Sequence, residues 1–327
     1  MGRFIARRTL DSIILLLATI LFNFFLFRIM PGDPTIAYLG RAGQTTPEFR
    51  IRMIQRYGLD KPIEQQFIIY LQSLLRLDLG ESITMYEGTP VAEVIFSFRL
   101  LNTFLLMGVA IALSFLIALA LGTFAASRFK SKSDLTSIFV TLTTYSTPVF
   151  WIGLLIIYFF YSQLNILPVG GAPRIEDVRY GGNLLAWLLD YIYHMIGPVI
   201  TLTISFVGGW FLIARDQMLG IFREDYITTA RAKGLPERRV LFTHARKNAM
   251  LPMISLLALA MTFLVAGATL TETVFSWPGI GLLTFDAVYQ HDYPLLQGIF
   301  LLVAVVAIAA NFAADVLYGF LDPRIRY

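Results

Sequence analysis

The 327-residue sequence contains no cysteine and few charged residues. The absence of cysteine excludes disulfides, thiolate metal ligands and cysteine nucleophiles. Charged residues make up 15% of the chain, against roughly 25% in a typical soluble domain. Hydrophobic residues make up 57%. Because too little polar surface remains to cover a soluble fold of this length, the composition predicts a membrane protein.

The sequence also lacks the motifs of an ATPase, a metalloprotein or a nucleic-acid-binding protein. No G-x-x-x-x-G-K-[ST] occurs, so the chain has no phosphate-binding loop of its own. The three histidines, His194, His244 and His291, share no metal-ligand spacing. Lysines and arginines form no stripe interleaved with aromatic residues. We therefore predict no metal, no cofactor, no nucleic-acid partner and no catalysis by this chain.

Long uncharged runs are the main positive feature of the sequence. A membrane-spanning helix needs about 20 mostly apolar residues. The first run is short, but it extends through Met30 if the Arg28 side chain reaches out to the interface. The six predicted spans are residues 12–27, 100–127, 135–173, 191–214, 248–271 and 293–314. The predicted fold class is an all-α integral membrane protein with six transmembrane helices.

The distribution of lysine and arginine predicts the orientation of the chain. If the N-terminus is inside the cell, the inner segments are residues 1–8, 128–134, 215–247 and 322–327. These segments hold most of the 26 basic residues, whereas the short outer segments hold only Arg174 and Arg179. Since basic residues accumulate on the cytoplasmic side, both termini are predicted to be cytoplasmic. The predicted location is a cell membrane, which the chain crosses several times.

The predicted spans divide the chain into three parts. Residues 1–30 form the N-terminus and the first span. Residues 31–98 form an external segment between the first two spans. Residues 99–327 form a core of five spans, with a long inner loop at residues 215–249.

The external segment predicts a small helical cap. Thr46 and Pro47 favour the start of one helix, and Gly58 favours its end. A second helix begins at Pro62, and its apolar residues recur at helical spacing. The residues of that predicted face are Ile63, Phe67, Tyr70, Leu71, Leu74 and Leu75. Packing on the spans is the simpler role for this cap, and docking of an external partner is the alternative.

The spans themselves contain few ionisable residues. No charge pair lies at a span centre, although proton-coupled carriers usually keep such pairs there. Asp315 lies near the inner end of the sixth span, where Arg324 or Arg326 is its predicted partner. Pro148 removes a helical hydrogen bond and predicts a bend in the third span, which is either simple shape or a pivot. No residue is assigned to a translocation path.

A charged, glycine-punctuated segment, REDYITTARAKGLPERR at residues 223–239, lies between two apolar runs. Asp225 predicts a helix N-cap, and Gly234 predicts a left-handed stop about eight residues later. Pro236 suits the first turn of a second helix, which leads into the fifth span. A short helix of this kind suits insertion into a groove on a cytoplasmic partner. The alternative is a solvated basic loop, but the helix punctuation favours docking.

This segment resembles the cytoplasmic loop of binding-protein-dependent ABC importer permeases, above all the oligopeptide, dipeptide and nickel branch. That branch reads close to DYxxTARAKGL…RxxVxxxHAxxNAxxP, and this chain matches most of its fixed positions between residues 225 and 252. The wider importer pattern, Glu-Ala-Ala-x3-Gly, agrees only at Ala230 when it is aligned on Gly234. The pair Leu251 and Pro252 also stands farther from Gly234 than in that pattern. Further resembling strings are RIMPGDP, YGLDKPIEQQF, LDLGES, TPVFWIGLLI and TETVFSWPGIG.

The resemblance implies that the short helix is a coupling helix, which sits in a cleft of a separate ATPase subunit. The implied docking residues are Asp225, Tyr226, Thr229, Ala230, Arg231, Ala232, Lys233, Gly234 and Leu235. It also implies a second, similar permease subunit, so that a heterodimer is expected, two cytoplasmic ATPase subunits and an extracytoplasmic solute-binding protein. ATP would then drive alternating access of the two permease subunits.

The cargo implied by the resemblance is a di- or oligopeptide, with oligosaccharides and nickel complexes as alternatives within the family. A secondary transporter that works without ATP is the alternative of another class. A membrane anchor or assembly scaffold is a third hypothesis, but such a protein would not need a capped coupling loop.

Overall fold

The computed structural model describes residues 2–29, 58–173, 183–260 and 268–321, together with residues 48, 51, 54, 55 and 264. Within this part of the chain every regular element is a helix, apart from an isolated bridge between Glu81 and Pro90. The prediction of an all-α protein is therefore confirmed for these residues. The chain divides into two compact units. The first contains Met1–Thr103, Val265–Thr269 and Pro278–Tyr327, and the second contains Phe104–Leu264 and Leu270–Trp277.

The helices follow the apolar runs of the sequence. In chain order they are α1 (Gly2–Ile29), α2 (Ile63–Leu75), α3 (Val91–Ile95), α4 (Phe98–Ser127), α5 (Lys132–Ser146), α6 (Val149–Ile156), α7 (Leu184–Ile221), α8 (Asp225–Ala232), α9 (Glu237–Arg239), α10 (Arg246–Ala260), α11 (Thr269–Val274), α12 (Ile280–Tyr289) and α13 (Tyr293–Leu321). Two π-helical stretches accompany them. Ile157–Gln163 extends α6, and Val240–Ala245 joins α9 to α10.

Several helices are long and apolar enough to cross a membrane. Four stretches meet this description: Ile5–Arg28, Val91–Ser127, Leu184–Ile221 and Tyr293–Ala313. A fifth is obtained if the bent pair Lys132–Ser146 and Val149–Gln163 counts as one span. The described residues thus hold four or five candidate spans, where the sequence predicts six. If the bent pair counts as one span, the predicted span at residues 248–271 is the one not found, because α10 ends at Ala260 and residues 261–263 and 265–267 lie outside the described part.

Pro148 breaks the third predicted span. Helix α5 ends at Ser146, and α6 begins at Val149 with Pro148 in its N-cap position. Thr147 is extended (φ −80°, ψ 131°), the conformation that a residue before proline prefers. The predicted bend is therefore confirmed. The angle of 98° makes it a break between two helices rather than a gentle kink.

Helix α2 packs on α1 mainly through aromatic rings. The ring centroids of Phe24 and Phe67 are 5.1 Å apart, and those of Phe24 and Tyr70 are 5.6 Å apart. The predicted apolar face of α2 is wrong at both ends, because Ile63 is 41% exposed and Leu75 is 86% exposed. Gln66 is buried instead, and its side-chain amide donates a hydrogen bond to the backbone carbonyl of Lys61, just before the helix.

A buried carboxylate fixes an irregular loop of the first unit. Asp292, immediately before α13, accepts a hydrogen bond from the Ser82 hydroxyl at 2.5 Å. It also accepts from the backbone N–H groups of Thr84 and Met85, each at 3.1 Å. Several donors thus satisfy a carboxylate that is wholly buried, and the loop is attached to the start of α13.

Some predictions fall outside the described residues. The helix start at Thr46 and Pro47 is one of them, and so are Arg324 and Arg326, the predicted partners of Asp315. Among the described residues, Asp315 pairs with Arg8 of α1, at 3.2 Å. That partner is distant in sequence, and the antiparallel packing of α1 and α13 brings it close.

Helix α7 packs closely against other helices of the second unit. A Cβ atom on Gly122 of α4 would lie 2.7 Å from the Cβ of Ala214 and 2.9 Å from the backbone nitrogen of Arg215. A Cβ atom on Gly208 of α7 would lie 2.5 Å from the carbonyl oxygen of Thr141 in α5. Small residues at these two points let the backbones approach closely, as is common between membrane helices.

Candidate functional site

Helix α8 begins the charged segment that the sequence singles out. It spans Asp225–Ala232, eight residues, and Glu224 rather than Asp225 occupies the N-cap position. Glu224 makes no side-chain capping hydrogen bond, so the predicted cap at Asp225 is wrong by one residue. Asp225 lies instead in the first turn, where its negative charge interacts favourably with the positive end of the helix dipole. The Thr229 hydroxyl donates to the carbonyl of Asp225 at 2.9 Å.

The end of α8 is a left-handed stop at Gly234. Gly234 has φ +76°. Its N–H donates to the carbonyl of Arg231 at 2.9 Å, and the N–H of Leu235 donates to the carbonyl of Ala230 at 3.4 Å. This pair of bonds is the Schellman arrangement, which satisfies carbonyls that a helix end leaves free. The stop predicted from the sequence is confirmed.

One face of α8 is buried within its own chain. Ile227 is fully buried and Ala230 is 7% exposed. They belong to an apolar cluster, which we call the loop cluster. Its buried members are Ala126, Met218, Ile227, Ala230, Val240, Ala245 and Ala249. Leu235 is half-buried and packs against the same cluster. Two of the predicted docking residues, Ala230 and Leu235, therefore hold the helix in place on its own protein.

The other face of α8 is open. The predicted docking residues on this exposed side are Asp225, Tyr226, Thr229, Arg231, Ala232, Lys233 and Gly234. Tyr226 is 40% exposed, and its hydroxyl accepts a hydrogen bond from the Asn248 side chain of α10 at 2.8 Å. The structure thus brings together a small surface of aromatic, basic and small residues on one helix.

An ion pair joins α8 to the helix that follows it. The Arg231 guanidinium donates to both carboxylate oxygens of Glu237 in α9, at 2.7 Å and 3.2 Å. These hydrogen bonds hold the pKa of Glu237 below its ordinary value and raise the pKa of Arg231. Arg231 also lies over the ring of Phe222, 5.7 Å from its centroid. Sequence reasoning missed Glu237, although an opposite charge six residues after Arg231, across a glycine stop, is a usable signal.

The segment after Gly234 is continuously helical from Glu237 to Ala260. Pro236 occupies the N-cap position of α9, and Pro252 lies inside α10. The sequence predicts this ascending helix but not the π-helical geometry of Val240–Ala245. Among the residues that the structure describes, no group of three His, Asp or Glu side chains is placed to hold a metal ion.

Two family models match the chain. Residues 118–327 match the family described as binding-protein-dependent transport system inner membrane component. Residues 1–90 match the N-terminal model of the membrane component of the same transport systems.

Permeases of peptide transport systems match the chain over nearly its whole length. It is 37% identical to the oligopeptide transport system permease protein AppB of Bacillus subtilis (strain 168), over 100% of both chains. It is 38% identical to the di/tripeptide transport system permease protein DppB of Pseudomonas aeruginosa (strain UCBPP-PA14), over 99% of this chain and 98% of that one. It is 37% identical to the dipeptide transport system permease protein DppB of Escherichia coli (strain K12), over 100% of this chain and 99% of that one. The chain therefore belongs to the family of multi-pass permease subunits of binding-protein-dependent ABC importers.

Proposed function

We propose that this chain is the transmembrane permease subunit of an ATP-driven importer of di- or oligopeptides. The full-length similarity to permeases named for oligopeptide, di/tripeptide and dipeptide transport supports peptides over oligosaccharides or nickel complexes. In the proposed complex an external solute-binding protein delivers the peptide, and a second permease subunit completes the path. Two cytoplasmic ATPases bind ATP and hydrolyse it, and this chain carries out no covalent chemistry.

The proposed membrane topology has six spans with both termini in the cytoplasm. The four or five candidate spans among the described residues support it, and α10 covers the first part of the fifth proposed span, as far as Ala260. Residues 31–98 form the extracytoplasmic cap, residues 99–327 form the permease core, and residues 215–249 form the cytoplasmic coupling loop.

The observation that carries the proposal is the two-sided character of α8. Ile227 and Ala230 anchor one face in the loop cluster, while the opposite face is exposed and basic. A simple solvated loop needs neither an apolar anchor nor a Schellman stop. An anchored helix with an open face is suited to lie in a groove of a partner and to transmit its movement.

In the proposed mechanism α8 is the coupling helix. Closure of the ATPase dimer on ATP displaces the docked helix. The displacement passes through the loop cluster into the spans, and the two permease subunits change from inward-open to outward-open by a rigid-body rearrangement. Asp225, Tyr226, Thr229, Arg231, Ala232, Lys233 and Gly234 are the proposed contact residues. Ala230 and Leu235 position the helix from behind.

The proposal is tested by Gly234→Val in the complete importer reconstituted in liposomes. A Cβ at position 234 meets no atom within 4 Å, so the substitution acts only through its cost at φ +76°. We expect normal membrane insertion, a loss of ATPase co-purification and a loss of labelled-dipeptide uptake. Gly88→Val is a matched control, because Gly88 also has positive φ (+77°) and open space but lies outside the coupling loop.

Full ATPase binding and full uptake in Gly234→Val would show that α8 is not the docking helix. A secondary transporter, the rival class, predicts uptake by the purified chain alone without ATP or an ATPase. The substrate class is tested separately, by measuring which peptides, oligosaccharides or nickel complexes the cognate external binding protein retains.

A further inference from the structure

A buried ion pair connects α5 to α7 in the second unit. The Arg215 guanidinium donates from Nε to one oxygen of Asp134 at 2.7 Å and from Nη2 to the other at 2.8 Å. The Asp134 side chain is 1% exposed and that of Arg215 is 13% exposed. A bidentate pair of this kind fixes the mutual register of the two helices as well as their distance.

Neighbouring residues orient the Asp134 side chain for this contact. Ser131 is the N-cap of α5, and its side chain accepts a hydrogen bond from the Asp134 N–H at 3.3 Å. The Lys130 N–H donates to the Asp134 carboxylate at 2.9 Å, from a left-handed conformation with φ +63°. On the other side, the ring of Phe129 lies 5.5 Å from the Arg215 guanidinium. The carboxylate and its partner are therefore held from several directions.

Helix α7, which carries Arg215, also packs against α8. Met218, one turn after Arg215 on α7, is fully buried in the loop cluster together with Ile227 and Ala230 of α8. Residues three apart lie on the same side of a helix. A displacement of α8 is therefore applied to α7 at Met218, directly beside the point where α7 is attached to α5.

We infer that the Asp134–Arg215 pair is a positioning element that transmits coupling-helix movement to the broken span formed by α5 and α6. Two helices that touch only through apolar side chains can slide past each other. Two helices joined by a pair of directed hydrogen bonds between buried charges cannot slide unless those bonds break. The pair therefore makes α5 follow α7, and α5 carries the movement to the break at Pro148. This inference rests on the proposed function of α8, and it adds residues that are not part of the docking surface.

The test measures peptide uptake and ATP hydrolysis in the same proteoliposomes containing the complete importer. Asp134→Asn and Arg215→Lys each remove part of the bidentate contact. We expect the number of peptides taken up per ATP hydrolysed to fall roughly twofold to thirtyfold, the range for residues that modulate coupling from a distance. ATPase co-purification should be unchanged. Asp216→Asn is the control, because Asp216 is 78% exposed and only 3.7 Å from Arg215.

The double variant Asp134→Asn/Arg215→Gln separates coupling from folding. It leaves no uncompensated buried charge, so it should insert and assemble even if a single variant does not. The inference requires that the ratio of uptake to ATP hydrolysis is still low in this variant. A ratio equal to that of the unaltered importer, in the double variant or in both single variants, would overturn it.

The outcome also distinguishes this inference from the proposed function. If the unaltered importer shows ATP-dependent uptake and Gly234→Val abolishes ATPase binding, the proposed function stands whatever the ion-pair variants do. If the unaltered chain transports without an ATPase, the proposed function fails, and the transmission role of the pair fails with it.

Discussion

Two arginine–carboxylate pairs of the second unit have nearly the same geometry but very different surroundings. Arg215 and Asp134 join two long helices, with side chains 13% and 1% exposed. Arg231 and Glu237 join α8 to α9, with side chains 42% and 56% exposed. Both arginines bind both carboxylate oxygens, with a shortest distance of 2.7 Å in each pair.

Burial, rather than bond geometry, therefore sets how much a charge pair contributes. Removing one partner of a buried pair leaves an uncompensated charge in a medium that solvates it poorly. Removing one partner of an exposed pair leaves a charge that water solvates, and exposed pairs contribute little to stability. The buried pair can therefore hold two helices in register, whereas the exposed pair can only bias the angle between α8 and α9.

The largest effect is expected for Asp134→Ala. The free energy of unfolding should fall by roughly 3–5 kcal/mol, because Arg215 is left buried without its carboxylate. The thermal unfolding midpoint of the purified chain in detergent measures this loss. Asp216→Ala, at the exposed neighbour of Arg215, should shift the midpoint little. Equal shifts in the two variants would remove the distinction between the buried and exposed carboxylates.

An intermediate effect is expected for Ile227→Ala, which tests the apolar anchor of α8 instead of its charges. Loss of a fully buried isoleucine side chain costs roughly 2–5 kcal/mol locally. We expect α8 to detach from the loop cluster, and amide hydrogen exchange over residues 225–232 to rise. Thr228→Ala is the control, since Thr228 is exposed on the same helix. Unchanged exchange in Ile227→Ala would mean that contacts other than the Ile227 side chain hold the helix.

The smallest effect is expected for the exposed pair, and it depends on pH. Arg231 holds the pKa of Glu237 below its ordinary value. The pair therefore stabilises the folded protein fully at pH values above the ordinary pKa of a glutamate. The contribution is lost as pH falls through the lowered pKa. At neutral pH Glu237→Gln should cost no more than about 1 kcal/mol, and the cost should disappear in acid.

Thermal midpoints of the unaltered chain and Glu237→Gln, compared at both pH values, check this prediction. A difference that persists in acid would show that the pair is not an ordinary exposed ion pair. Added salt at neutral pH should also reduce the difference, because exposed charges are screened.

Features that depend on a few neighbouring residues could be predicted from the sequence. The stop at Gly234 follows from the conformational freedom of glycine, and the break at Pro148 follows from the missing N–H of proline. The start of α8 was placed one residue late, because Glu224 takes the N-cap position without making a capping bond. Helix boundaries are weakly determined where no side chain caps the end.

Features that depend on distant residues could not be predicted. Arg8 pairs with Asp315 across two helices, and no local pattern around either residue predicts that contact. The apolar spacing of α2 predicted a buried Leu75, whereas that side chain projects from the end of the helix and Gln66 is buried. The predicted docking residues lie in one short segment, but the sequence does not show their division into an anchored face and an open face.

The amino-acid sequence is enough to predict that the chain is helical and apolar, that Pro148 breaks the third span, and that a left-handed glycine stops α8. These properties arise from composition, from proline and glycine, and from local hydrogen bonding. The contacts that require the folded chain are the burial of Ile227 and Ala230, the pairing of Arg231 with Glu237, and the pairing of Arg215 with Asp134 in another helix. The physical reason is that burial and charge pairing depend on which helices pack together, and residues far apart in the chain carry no local record of that packing.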